Sequence, residues 1–503
     1  MKKEESKTLK KNIVKSSFWT ISSAIINRIG TLAFTILLAR YLLPEGYGIY
    51  SLVMAVAMIF YTFTDFGINE AFVRHLSLAI SSEKKKISAY YQYFLKIKIF
   101  FALLSSGLLI MVAYPLAKYV FSNSPLAILF ILSSFYILIM SLDSFFTKTF
   151  YAITRVKYTS LKETILQISR IALVIVVFKF VPKEFYLLGI ILAISIIYLL
   201  LLVISFLYFK KNFSLFYKPT NESIDTKKIK KFIGFLTLAS ISTILLSNID
   251  SLILGAFLPP VYLGYYRAAF SLILGITGIV GFPSIVLLPF LSKLNNNLPK
   301  TKQIFNKAFN SISVLAIPMI FGLIALGGFF INTFYGAEYF PSITILYILA
   351  PIIYLSICTG LFLSLFSANA KPQIFARAVA ITSIVNIILN IVFIKLFWIL
   401  GKSEIFAVYG VALATLISWM LYFILTSHSL YKYFKINIFN LTLLKSLIAG
   451  LIMFAALIIL ESFITNITLL LGILLILAGI VIYSILIILL KGASLKEMIS
   501  IFQ

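Results

Sequence analysis

Arg28 lies thirteen residues after Lys15 and twelve before Arg40, in the middle of an apolar stretch. It flanks a run of Ser16, Thr20, Ser23, Asn27, Thr31 and Thr35 spaced 4, 3, 4, 4 and 4, which one face of a helix would carry. A second set, Ser160, Glu163, Gln167 and Arg170, is spaced 3, 4 and 3 and carries Arg170 at a similar depth. A charge at the centre of an apolar helix costs about 2.5–3.5 kcal/mol on translocon scales, so both arginines are expected to be functional. Two guanidinium groups lining one cavity, with Asn27 and Gln167 beside them, would suit a phosphate or pyrophosphate head group. The competing reading is a structural ion pair, with Asp65 or Glu70 neutralising Arg28. Asp65, Glu70, Asp143, Glu163 and Asp250 are therefore expected to serve charge pairing or the binding of a coupling proton or sodium ion.

Other polar stripes lack a basic residue at mid-depth: Thr62, Asp65 and Asn69; Thr237, Ser240, Thr243, Ser247 and Asp250; Ser383, Asn386 and Asn390. They read first as contacts that hold helices together. Covalent chemistry is not indicated. His75 and His428 are far apart, and the one cysteine, Cys358, lies in an apolar run, so no metal site, no catalytic residues and no cofactor are expected.

These residues sit in a chain of 503 residues that is 61% hydrophobic and 12% charged, with a mean hydropathy of +1.06. Such a composition excludes an ordinary soluble globule, and the long apolar runs argue against a membrane β-barrel. Spans are predicted near 16–39, 48–72, 93–114, 124–146, 160–180, 185–208, 232–257, 264–290, 308–332, 341–366, 373–397, 405–427, 442–463 and 467–490, fourteen in all. The first is too long for a secretory signal and contains Asn27 and Arg28, so it reads as a retained span.

Of the 43 Lys and Arg, 34 fall in alternate connections that include both tails, seven fall in the others, and two are mid-span. That bias predicts cytoplasmic termini in a cell membrane and explains the net charge of +27 without nucleic acid. Anionic lipid contact is a secondary consequence. The connections are too short for a soluble catalytic domain, which disfavours a membrane glycan polymerase or transferase.

The stretch LLARYLLPEGYGIYSL after the first span matches LILGAFLPPVYLGYYRA after the seventh at an offset of 216, aligning Pro44 with Pro260, Gly48 with Gly264 and Tyr50 with Tyr266. Six spans separate them, so the halves run parallel, a plan known in transporters. Arg28 falls on Ile244, so its charge belongs to the first half alone.

Together with NIDSLILGAFLPPVYLGYYRAAFSL, LLPFLSKL, IVNIILNIVFIKLF and YGVALATLIS, in that order, these segments make the chain resemble Wzx-type polysaccharide flippases. These belong to the multidrug/oligosaccharidyl-lipid/polysaccharide exporter superfamily. Ser251 departs from the pattern, since related sequences often place a basic residue after the aspartate.

The resemblance implies an all-α polytopic membrane protein of about fourteen transmembrane helices: a basic tail (1–15), an N-terminal lobe of six spans (16–208) and a basic linker (209–231). A C-terminal lobe of six spans (232–427), two further helices (428–490) and a tail (491–503) follow. It implies flipping of a polyprenyl-(di)phosphate-linked oligosaccharide by alternating access, coupled to H+ or Na+. The transporter would be monomeric, in contact with membrane lipids and associated with polysaccharide-assembly proteins. A multidrug or cation antiporter of the same superfamily and a lipid II flippase are the alternatives. Two mid-depth arginines would repel a cationic drug.

Overall fold

The computed structural model describes residues 2–503 except 218–219, 221, 282–290, 292–297, 370, 402, 465–466 and 493–503. All of the LLPFLSKL segment but Leu291, the end of the eighth span and most of the C-terminal tail lie outside the described residues, as do the side chains of Ser16, Thr20 and Ser240.

Apolar runs this long satisfy their backbone polar groups internally only as helices, and no strand occurs among the described residues. The order is α1 (Lys2–Phe63), α2 (Ile68–Ser82), α3 (Ile87–Pro115), α4 (Leu126–Ala152), α5 (Val156–Phe180), α6 (Tyr186–Asn212), α7 (Thr226–Phe257) and α8 (Pro260–Val280). It continues with α9 (Leu298–Ala325), α10 (Gly327–Phe334), α11 (Ser342–Leu349), α12 (Ile352–Ala368), α13 (Pro372–Gly401), α14 (Glu404–Phe434), α15 (Leu441–Ser462) and α16 (Leu469–Leu489). Among the described residues ten helices are long and apolar enough to cross a membrane. α1 holds the first two expected spans, broken at Leu43, whose φ of 58° and ψ of 174° are non-helical. Its charges keep α5 from being one of the ten.

Three expected spans end differently. The second, expected to run to 72, stops at Phe63 and turns through Phe66 (φ 42°) and Gly67 (φ 77°) into α2. Gly67 has no Cβ to oppose that conformation, and Thr64 Oγ1 donates to the Tyr61 carbonyl at 2.7 Å to cap the turn. The ninth, expected to 332, stops at Ala325 and resumes as α10. The tenth divides at Pro351, which lacks the amide that would continue the helix.

The chain forms two compact units, Met1–Leu263 and Gly264–Gln503. In the first, α1 packs on α5, α7 and α4, and α4 on α3 and α6. Toward the lysine-rich end an aromatic core joins α2, α3 and α4: Phe72 stacks on Phe145 at 4.4 Å, and Phe216 of the linker packs on Tyr91 at 5.1 Å. α7, the first helix of the second repeat, packs with unit 1, so the repeat and the compact units divide the chain at different places.

In unit 2, α13 and α14 form a close antiparallel pair, and α15 packs on α9 and α16 around Met453, Leu457 and Tyr483. The side chains of Asn440 and Thr468 cap the starts of α15 and α16.

The α13–α14 pair depends on Gly410, where a methyl would lie 2.7 Å from the Phe393 carbonyl oxygen, an atom that cannot rotate away. Gly410→Ala is expected to lower stability by about 1–3 kcal/mol. Gly107 meets nothing within 4 Å. Gly107→Ala is expected to raise stability by up to about 1 kcal/mol through helix propensity. Thermal unfolding of the two variants in detergent checks this, and equal effects would contradict the packing.

Candidate functional site

The spacing that puts Asn27, Thr31 and Phe34 on one face of α1, and Glu163, Gln167 and Arg170 on one face of α5, brings the two sets together. Asn27 Nδ2 donates to Glu163 Oε2 at 2.8 Å, and Thr31 Oγ1 lies 3.5 Å from Asn27 Oδ1. Arg170 Nη2 donates to Gln167 Oε1 at 2.6 Å and to Thr31 Oγ1 at 3.2 Å, and its guanidinium lies 4.1 Å from the Phe34 ring centroid. Gly30 permits this approach: a methyl there would lie 2.8 Å from Gln167 Cβ. Arg170 is thus half-buried in the seam, held over an aromatic ring and aimed by two oxygens.

Lysines balance the carboxylates behind the seam. Lys162 on α5 pairs with Asp143 of α4 at 2.5 Å and donates to Thr147 Oγ1 at 2.7 Å. Lys98, on the buried stripe Tyr91, Phe94, Lys98, Ala102 and Ser105 of α3, is fully enclosed and pairs with Asp65 at 2.6 Å. Glu70 of α2 meets Lys148 of α4 at 3.0 Å in a half-exposed pair, and Asn69 Nδ2 reaches Ser144 Oγ at 3.2 Å. Asp250 is buried on α7, next to the buried Ser251.

The expected neutralisation of Arg28 by Asp65 or Glu70 does not occur, because each of those carboxylates has its own lysine. Arg28 is exposed, and among the described residues it makes no hydrogen bond, ion pair or ring contact. The two arginines thus differ: Arg170 is built into the α1–α5 seam, and Arg28 stands open beside it. Sequence reasoning missed Lys98 and Lys162, which had been counted with the loop charges. The signal was present, since both fall in register with buried positions of their helices, Lys98 following Tyr91 and Phe94 at steps of 3 and 4.

A sequence model of the polysaccharide biosynthesis protein family matches residues 13–295, a segment that contains every residue of this seam. The chain belongs to that family. Its fold is similar to that of the lipid II flippase MurJ in an inward closed conformation, with 19% identity, a TM-score of 0.74, and coverage of 93% of this chain and 97% of that one. It is also similar to an inward-facing multidrug resistance MATE family transporter of the MOP superfamily (12% identity, TM-score 0.61, 83% and 99% covered). A MOP superfamily transporter from Pyrococcus furiosus is a third likeness (13%, 0.60, 85% and 97%). Comparison with curated protein sequences returns no match.

The family and fold are those of membrane transporters and flippases with a part in polysaccharide biosynthesis. In such a family member, the paired charges of unit 1 act as its internal frame, and the pairs should differ in worth with their burial. Removing one partner of an enclosed pair strands the other charge, so Lys98→Met is expected to cost about 3–5 kcal/mol, most of it recovered in Lys98→Met/Asp65→Asn. Lys148→Ala, at the half-exposed pair, should cost no more than about 1 kcal/mol. Thermal unfolding of the four proteins measures this, and a Lys98→Met as mild as Lys148→Ala would contradict the placement of Lys98.

Proposed function

We propose that the protein flips a polyprenyl-(di)phosphate-linked oligosaccharide from the cytoplasmic to the outer leaflet of the cell membrane by alternating access. The observation that carries this reading is Arg28, an exposed guanidinium midway along an apolar stretch with no hydrogen bond or ion pair among the described residues, next to a seam whose other charged groups are each held by neighbouring side chains. A charge at that depth is tolerated where it faces water within the protein, and α1 would line such a cavity. An open guanidinium there takes over part of the hydration that a phosphate head group loses on leaving water. No covalent bond changes, and the polyprenyl tail stays in lipid throughout.

On the same reading the lysine-rich connections face the cytoplasm, with both termini on that side. The protein acts as a monomer beside polysaccharide-assembly proteins. Direction comes from a proton or a sodium ion, and we place its site at Glu163, whose carboxylate is held by an amide rather than by a lysine. A lipid II cargo is the second reading, favoured by the fold likeness to MurJ, since lipid II also carries its sugars on a polyprenyl diphosphate.

Proteoliposomes carrying a polyprenyl-diphosphate oligosaccharide, or lipid II in a parallel set, test this with a membrane-impermeant glycosidase as the readout. The wild type should expose one of the two lipids faster than empty liposomes. Arg28→Ala should slow that exposure about tenfold or more, with Arg28→Lys between them. Unchanged exposure in Arg28→Ala, or efflux of organic cations in place of lipid flipping, would overturn the reading.

A further inference from the structure

A second exposed arginine lies at the lysine-rich end of unit 1, eight residues before Glu163. Arg155 occupies the short turn between α4 and α5, and no carboxylate pairs with it among the described residues. Its Nη1 donates to Tyr208 Oη at 3.2 Å, and its guanidinium lies 5.2 Å from the Phe213 ring centroid and 6.0 Å from that of Tyr158. The three rings belong to a packed aromatic platform: Tyr158 and Tyr208 are 4.9 Å apart, Phe150 stacks on Tyr158 at 5.7 Å, and Phe150 meets the buried Phe209 at 4.7 Å.

The turn is fixed as firmly as the rings. Arg155 N donates to the Phe150 carbonyl at 2.9 Å and Thr154 N to that of Tyr151 at 3.0 Å. Thr154 has a φ of 60°, which a β-branched residue adopts at a cost of about 1–3 kcal/mol and keeps only where its surroundings impose it. The hydroxyls of Tyr208 and Tyr158 engage the fork from one side, and no carboxylate does so among the described residues. Lys157, Lys210 and Lys211 are exposed on the same segments, and residues 148–158 and 205–217 contain no carboxylate.

This is a rigid, exposed guanidinium among cations, placed just beyond the ends of α4 and α6, where the chain leaves hydrocarbon. Tyrosines favour that level of the bilayer, and so do lipid phosphates. A planar fork held among rings accepts phosphate oxygens with little loss of side-chain freedom, which a surface lysine cannot match. We propose that Arg155, Tyr158, Tyr208 and Phe213 form a binding site for the phosphate head group of an anionic bilayer phospholipid, a site separate from the transport seam and present whatever the cargo.

Native mass spectrometry of the full chain in detergent tests it, with phosphatidylglycerol, phosphatidylcholine and inorganic phosphate as probes. The wild type should retain phosphatidylglycerol about tenfold better than phosphatidylcholine, and Arg155→Lys, which keeps the charge but loses the fork, should remove that preference. Tyr208→Phe leaves the arginine in place and should weaken retention several-fold, which separates loss of aim from loss of fold. Lys118→Ala, at a different cation–aromatic contact beside Tyr114 and Tyr119, should change nothing. Full retention by Arg155→Lys, equal binding of phosphatidylcholine, or displacement of the lipid by millimolar inorganic phosphate would each overturn the proposal.

Discussion

Charge is costly in hydrocarbon, and the interior of unit 1 is organised around that cost. Lys98 meets Asp65, Lys162 meets Asp143, and Glu163 is held by the amide of Asn27. Arg170 lies against a ring and between two oxygens. The helix geometry follows from these contacts. Gly30 lets α1 approach α5 closely enough for the seam to form, and the turn at Phe66 and Gly67 swings Asp65 off the helix and onto Lys98. Against that background Arg28 stands apart, an exposed guanidinium at mid-depth that no side chain engages among the described residues.

The internal repeat is visible in the backbone as well as in the letters. The offset that aligns Pro44 with Pro260 places the break at Leu43 on Pro259, where α7 gives way to α8. The charges are not repeated: Arg28 corresponds to Ile244, so the first repeat carries the open cation alone.

Much of this was readable in the sequence, and the exceptions have physical causes. Hydropathy and lysine bias depend on one residue at a time, so the helical, multi-pass architecture followed directly. The meeting of Asn27 with Glu163 and of Thr31 with Arg170 was prefigured by two stripes of matching period. Lys98 and Lys162 were misplaced because counting charges by connection is blind to depth, and both lie a turn or more inside their helices. The pairing of Asp65 depends on a positive φ at Gly67, and the breaks at Leu326 and Pro351 depend on local backbone geometry, none of which an apolar run reveals. The aromatic setting of Arg155 joins segments more than fifty residues apart and had no local signature.

On the proposed reading Arg28 faces water inside the membrane. Cys358, the chain's one cysteine, is fully buried, so a Cys358→Ser background is a clean host for single cysteines. In that background Arg28→Cys should react with a membrane-impermeant methanethiosulfonate cation, since the reagent needs a hydrated thiolate. Ile168→Cys, at an exposed apolar position of α5 two residues from Arg170, should not react. An inert Arg28→Cys beside an inert Ile168→Cys would place Arg28 against lipid or protein and contradict the account.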